Sequence, residues 1–180
     1  MANYAIYVAP PPLEIEDDGP TGDAIRAKLG AGIAASKGRE FNTLGTVLGL
    51  GCANSPIVAG EDTPAAPHDS QIYRPTAHPG YLAPHAWLEG GASLYDLFGP
   101  GFTLIADDNA PQAEIDKAVA DARELGIPLS VVRPHGVPVA ELYGALLALV
   151  RPDQHVAWRG NVWRLYLSRA TGWAQSAVMA

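Results

Sequence analysis

Five histidines, a single cysteine and pairs of adjacent acids are the groups in this 180-residue chain able to do chemistry. His68, His78, His85, His135 and His155 are dispersed, without the helical His pair or Cys-X-X-Cys spacing that closes a zinc site. His68 and His78 fall in loops and are expected to be solvated. His85, after Pro84, is expected to sit in a local hydrogen-bond network rather than to carry protons. The acid pairs Asp17-Asp18 and Asp107-Asp108 could in principle serve as paired carboxylates. Adjacent loop residues point apart into water, so solvated charge is the expectation. Cys52 alone cannot form an internal disulfide or a dithiol couple. "GLGCAN" (49–54) imitates a dinucleotide turn, but Asn54 stands at the third glycine position and Pro56 follows where a helix should run. No nucleophile elbow or phosphate loop occurs. Trp87, Trp158, Trp163 and Trp173, with Tyr95 and Phe98, could line a pocket, although core packing accounts for them more simply. No catalytic, cofactor-binding or metal-ligating residue is thereby assigned.

The elements that would position these groups divide the chain at residue 79. In 1–79 a short strand is expected at Ala5–Val8, stopped by Pro10-Pro11-Pro12. A helix follows over 23–41, where Ile25, Leu29, Ile33 and Phe41 share one face. Gly30 and Gly32 weaken that helix by about 1 kcal/mol each, so it is expected to lean on something larger. From Gly45 to Gly80, glycine and proline predict an irregular arm lying over a neighbouring surface, with strand fragments only at 55–58 and 71–73.

In 80–180 the pattern sharpens. "HAWL" (85–88) reads as a strand and "SLYDLFG" (93–99) as a short helix started by Ser93. "FTLIA" (102–106) is a β-prone run bounded by glycine and acids. Asn109 is placed to cap the next helix with Gln112 in capping-box spacing. Ile115, Ala118, Val119 and Ala122 line its buried face, and Gly126 ends it. "PLSVV" (128–132) reads as a buried strand parallel to the first. "VAELYGALLALV" begins helical and becomes a strand, and "ALVRPDQHVAWRG" predicts a hairpin with Pro152 in a type I turn. His155, Ala157 and Arg159 alternate with Val156 and Trp158, as for a sheet with one covered face. A closing helix is expected from Asn161, bringing Val162, Leu165 and Tyr166 together. The sum is an α/β fold in thioredoxin-like order, β-α-β then β-β-α. In such folds reactive thiols occupy the first strand-to-helix corner. Here that corner reads Ala106-Asp107-Asp108-Asn109-Ala110-Pro111, without sulphur.

Composition sets the class. Hydrophobic residues make up 48% and charged residues 17%, an ordinary globular balance. A net charge of −7 with scattered basic residues argues against nucleic acid. No run approaches the ~18 apolar residues of a membrane span. "MANYAIYVAPPP" lacks the basic leader and long apolar core of a signal peptide, so a cytoplasmic location is expected.

"PTAHPGYLAPHAWLEGGASLYDLFGPGFTLI" together with "LVRPDQHVAWRG" resembles the C-terminal region of flavin-dependent aromatic-ring hydroxylases of the phenol 2-monooxygenase and dichlorophenol hydroxylase type. "REFNTLGTVLGLGCANSPIV" resembles the stretch joining their catalytic part to that region. The resemblance spans about residues 20 to 160. It implies a thioredoxin-like domain without redox cysteines. FAD and NAD(P)H are implied for the full-length family, whose flavin sits in an N-terminal domain; no flavin ligand maps onto this chain. The family's Leu-Gly-Tyr-Arg-Tyr element appears here as Leu48-Gly49-Leu50-Gly51-Cys52, and arginines around the Pro-Gly turn as His78 and Leu82. The resemblance thus implies a free-standing accessory domain, non-catalytic alone, that dimerises or docks on a separate flavoprotein. Two alternatives are a subunit of a split FAD-dependent monooxygenase and a binder of small aromatic ligands near Trp87 and Trp158.

Overall fold

The computed structural model describes residues 10–172. The expected strand at Ala5–Val8 and Trp173 lie outside them. Two units separate: one runs through Val47 and takes in Asp69–Tyr73, and the other holds Leu48–His68 and the rest of the chain from Arg74.

In the first unit, helix α1 (Pro20–Phe41) begins with proline, whose fixed φ suits the first turn. Arg26 ties it to the preceding turn by donating to the carbonyls of Ile15 and Asp17 and to the Asp23 carboxylate. The predicted apolar face is only partly used: Ile25 and Leu29 are half-buried, while Ile33 and Phe41 are exposed. A second helix, α2 (Leu44–Gly49), occupies part of the stretch expected to be irregular. It is anchored where the Thr46 amide donates to the Ser70 carbonyl and Gly45 abuts the Asp69 backbone. No strand forms at 71–73, because the Asp69 carboxylate accepts the amides of Gln71 and Ile72 and curls the chain. Nor does one form at 55–58, which is a run of turns.

The second unit is built on a four-stranded mixed sheet ordered β2-β1-β3-β4, with β1 Phe102–Ala106, β2 Leu129–Val132, β3 Leu147–Val150 and β4 Val156–Gly160. β1 pairs in parallel with β2 and antiparallel with β3, and β3 pairs antiparallel with β4. Helix α3 (Gln112–Glu124) links β1 to β2, α4 (Val139–Tyr143) precedes β3, and α5 (Leu167–Ala170) follows β4. This is the thioredoxin-like order.

The period of two along each strand sends alternate side chains to opposite faces, and both faces are covered, not one. Phe102, Leu104, Leu147 and Leu149 pack with Ile115, Ala118, Trp163 and Leu167. Ile105, Ala148, Val150 and Val156 pack with Leu94, Val139 and Tyr143. Each fully buried large side chain contributes roughly 1.5–3 kcal/mol. A bulge opposite Leu149 and Val150 absorbs Ala157, so Trp158 and Val156 keep opposite faces.

Four further expectations change. Residues 85–88 form no strand, only a bridge between Trp87 and Ser93 around a tight turn in which Gly90 and Gly91 take positive φ. β2 is not buried but an edge strand, with Ser130 and Val131 exposed. Pro111, not Asn109, stands at the N-cap of α3. The closing helix is confined to α5; Val162 and Leu165 are exposed, whereas Trp163 turns inward. The short turn after Ser93 does form, with a reciprocal Ser93–Asp96 capping box.

The arm runs beside β4. The Ala59 amide donates to Ala157, the Gly80 amide to Val156 and the Ala83 amide to Gln154, while Val156 donates back to Tyr81.

Candidate functional site

Two places in the second unit gather polar side chains. The first is the corner between β1 and α3, where thioredoxin-like folds carry reactive groups. Asp107 follows the last residue of β1 and is buried, not solvated as its loop position suggested. Its Oδ1 accepts the Asn109 amide at 2.9 Å and Asn109 Nδ2 at 3.0 Å, and its Oδ2 accepts the Ala140 amide at 3.0 Å. The hydrogen bonds from the Asn109 and Ala140 main chain, helped by the Arg133 charge, hold its carboxyl below the usual carboxylate range. Arg133 closes the corner by donating to the carbonyls of Asp107, Asp108 and Ala110. Both carboxylate oxygens of Asp107 are thus engaged by protein, and the corner works as a latch between β1 and α4. Asp108 is exposed, and this pair does not act as twin carboxylates.

The second place surrounds Glu61, which the arm brings against β4. Arg159 grips it with a fork: Nε donates to Oε1 at 2.7 Å and Nη2 to Oε2 at 2.8 Å, while Nη1 donates to the Tyr143 carbonyl at 2.9 Å. His78, expected in solvent, is buried here. Its ring nitrogens face the carbonyls of Thr63 at 2.9 Å and Pro79 at 3.1 Å, with Glu61 at 3.8 Å and Tyr81 edge-on. Glu61 separates two cavities. One, of about 320 Å³, is walled by Trp158, Arg159, Asn161, Arg164 and Tyr166; the other, of about 410 Å³, by Asn54, Asp62, Pro64, His78 and Tyr81. Sequence reasoning missed Glu61, Arg159 and Arg164 as a group. Glu61 and Arg159 stand 98 positions apart, and no local pattern links them.

The remaining candidates disperse. His85 Nε2 lies 2.9 Å from Ser93 Oγ, flanked edge-on by Trp87 and Tyr95, in a local network as expected. His68 and His135 are exposed, and His155 faces the Asp153 carbonyl. Cys52 is exposed, its thiol 3.3 Å from the Gly80 carbonyl and far along the chain from the β1 corner. Among the described residues no three His, Cys, Asp or Glu side chains come together as metal ligands. Trp87 is 72% exposed and takes no part in the cavity beside Trp158, which removes the expected pairing of these two rings. Trp158 instead meets Trp163 edge-on and lies near-parallel to Tyr166. "GLGCAN" does not fit a flavin or nicotinamide dinucleotide: helix α2 precedes it, turns follow it, and the Tyr81 ring fills the space above Gly51. No helix among the described residues is long and apolar enough to cross a membrane.

The model of the aromatic-ring hydroxylase C-terminal family matches residues 76–175. Phenol 2-monooxygenase of Pseudomonas sp. is 35% identical over 163 residues, 81% of this chain and 26% of that protein. An FAD-dependent monooxygenase of Emericella nidulans is 33% identical over 153 residues, 82% of this chain and 24% of that protein. Among solved structures, RebC with bound 7-carboxy-K252c superposes with a TM-score of 0.79 at 34% identity, over 94% of this chain and 33% of its own. The flavin-dependent monooxygenase PieE, in complex with FAD and substrate, gives 0.66 at 29% identity, over 92% of this chain and 31% of its own. The chain spans about a quarter to a third of the length of these proteins.

Proposed function

The chain belongs to the aromatic-ring hydroxylase C-terminal family, and on that premise we propose that it is an accessory, non-catalytic module that docks on the flavin-carrying body of an aromatic hydroxylase. The observation that carries this reading is the β1 corner. Where a thioredoxin-like fold would present a reactive group, Asp107, Asn109 and Arg133 are consumed in joining β1, α3 and α4. The module reads as residues 80–180, with 1–79 as its helix and arm.

The surface supports a docking role. Phe41 at the end of α1 and Leu44 and Val47 in α2 are 75%, 61% and 70% exposed. Large apolar side chains left in water favour an interaction site. The match to RebC takes in 94% of this chain, well beyond the family core that begins at residue 76, in a protein about three times as long. The flavoprotein body, carried on the same or a separate polypeptide, is the occupant that this favours.

Affinity purification followed by mass spectrometry and flavin absorbance tests the reading. A flavoprotein should co-purify with the wild type and be lost from Phe41→Glu and Val47→Glu, both keeping the wild-type melting temperature because these side chains are already in water. Purification without a flavoprotein, or tight FAD binding by the chain itself, would overturn it.

A further inference from the structure

We propose that the cavity beside Trp158 is a binding site for a small aromatic carboxylate. Its walls supply both halves of such a ligand's recognition. The apolar half comes from Trp158 and Tyr166, whose rings lie 25° from parallel with centroids 6.0 Å apart, extended by Val162 and Pro79. Gly160 lets the buried indole pack directly on the β4 backbone, since a Cβ there would stand 2.5 Å from Trp158 Cζ2. Gly60, on the same wall, has open space where a side chain would be.

The polar half carries net positive charge. Glu61 is the sole carboxylate in the lining, and its charge is matched by Arg159, three of whose five N–H donors go to Glu61 and the Tyr143 carbonyl. Arg164 is therefore the surplus cation, with no acid partner among the described residues. Asn161 uses its Oδ1 to accept the Leu146 amide, which leaves its Nδ2 as a second donor on the same wall. A cation and an amide donor beside an apolar wall of Tyr166, Val162 and the rim of the buried Trp158 select a planar anion over a neutral ring or a bare ion. At about 320 Å³ the cavity stands at the small end of ligand sites, which favours a single ring over a fused system. The site is lined by the arm, β4 and the segment after it, with no residue of α1 or α2, so the assignment is independent of docking through those helices.

Amide chemical-shift mapping with benzoate on the full chain tests it, with phenol, acetate and inorganic phosphate as comparison probes. Benzoate should move the amides of residues 158–166 with a Kd on the order of 1 mM, as expected of so small a ligand. Phenol and acetate should bind at least about tenfold more weakly. Arg164→Gln, at an exposed position, should keep the folded spectrum and weaken benzoate about tenfold or more, while Arg164→Lys should retain part of the affinity. Amides at 158–166 that stay still at about 10 mM benzoate would overturn the proposal. So would phosphate or acetate binding as well as benzoate, or an Arg164→Gln variant that binds benzoate unchanged.

Discussion

Replacing Asp107 with alanine is the sharpest perturbation of the β1 corner. The carboxylate receives three hydrogen bonds, two from the main chain at Asn109 and Ala140 and one from Asn109 Nδ2. Bonds to a charged acceptor contribute about 1.5–3 kcal/mol each when considered singly. Asn109 and Ala140 lie at the surface, so water replaces part of what is lost, and the sum falls well short of three full bonds. We predict a loss of about 3 kcal/mol for Asp107→Ala, or a melting temperature lowered by about 6–12 °C for a chain of this size. Asp107→Asn should cost less, because one oxygen still accepts, yet its NH2 must face a donor. The native carboxyl is held below its ordinary value, so its contribution is complete above the unfolded carboxylate pKa of about 3.9 and disappears as pH falls through the native value. Urea unfolding followed by tryptophan fluorescence, at pH 7 and in steps below pH 5, reads both effects. A variant within about 0.5 kcal/mol of wild type at pH 7, or a deficit that does not narrow in acid, would refute the latch.

Two other substitutions probe how the arm and core are held. Gly80 has φ +91°, and a Cβ there would stand 2.6 Å from the Ala53 nitrogen, so Gly80→Ala should cost at least about 2 kcal/mol and speed proteolysis of residues 48–68. Trp163 Nε1 donates to Asp121 at 2.7 Å on the face of the sheet covered by α3 and α5; Trp163→Phe should cost about 2 kcal/mol by chemical denaturation while leaving the far-ultraviolet circular dichroism unchanged.

The elements legible in the sequence are those whose determinants are local. The β-prone run 102–106, the 3.6-residue period of 115–122 and the start of a short helical turn at Ser93 each carry their own signal, and each forms. The misread stretches depend on partners distant in sequence. Asp107 looked solvated because nothing nearby announces the Ala140 amide that reaches it from 33 positions away. His78 looked solvated because Thr63 and Glu61 arrive from the arm. Residues 161–166 kept a helical spacing of apolar side chains, but burial of Trp163 with its hydrogen bonds to Glu114 and Asp121 pulls the chain off the helical path. The Glu61–Arg159 cavity was invisible for the same reason: its walls come from the arm and from the far edge of the sheet.

The hydrogen bonds from Ala59 and Gly80 to β4, and from Ala83 to Gln154 just before it, have a consequence for how the domain is delimited. The family boundary at residue 76 cuts between them, leaving Gly80 and Ala83 in place but discarding Ala59 along with Glu61. A fragment trimmed there bares the Ala157 carbonyl on a sheet margin and strands the Arg159 guanidinium without its counter-ion. Bare margins recruit foreign strands and promote aggregation. The 80–180 module therefore draws part of its β4 margin and the counter-ion of Arg159 from its arm, from Ala59 onward.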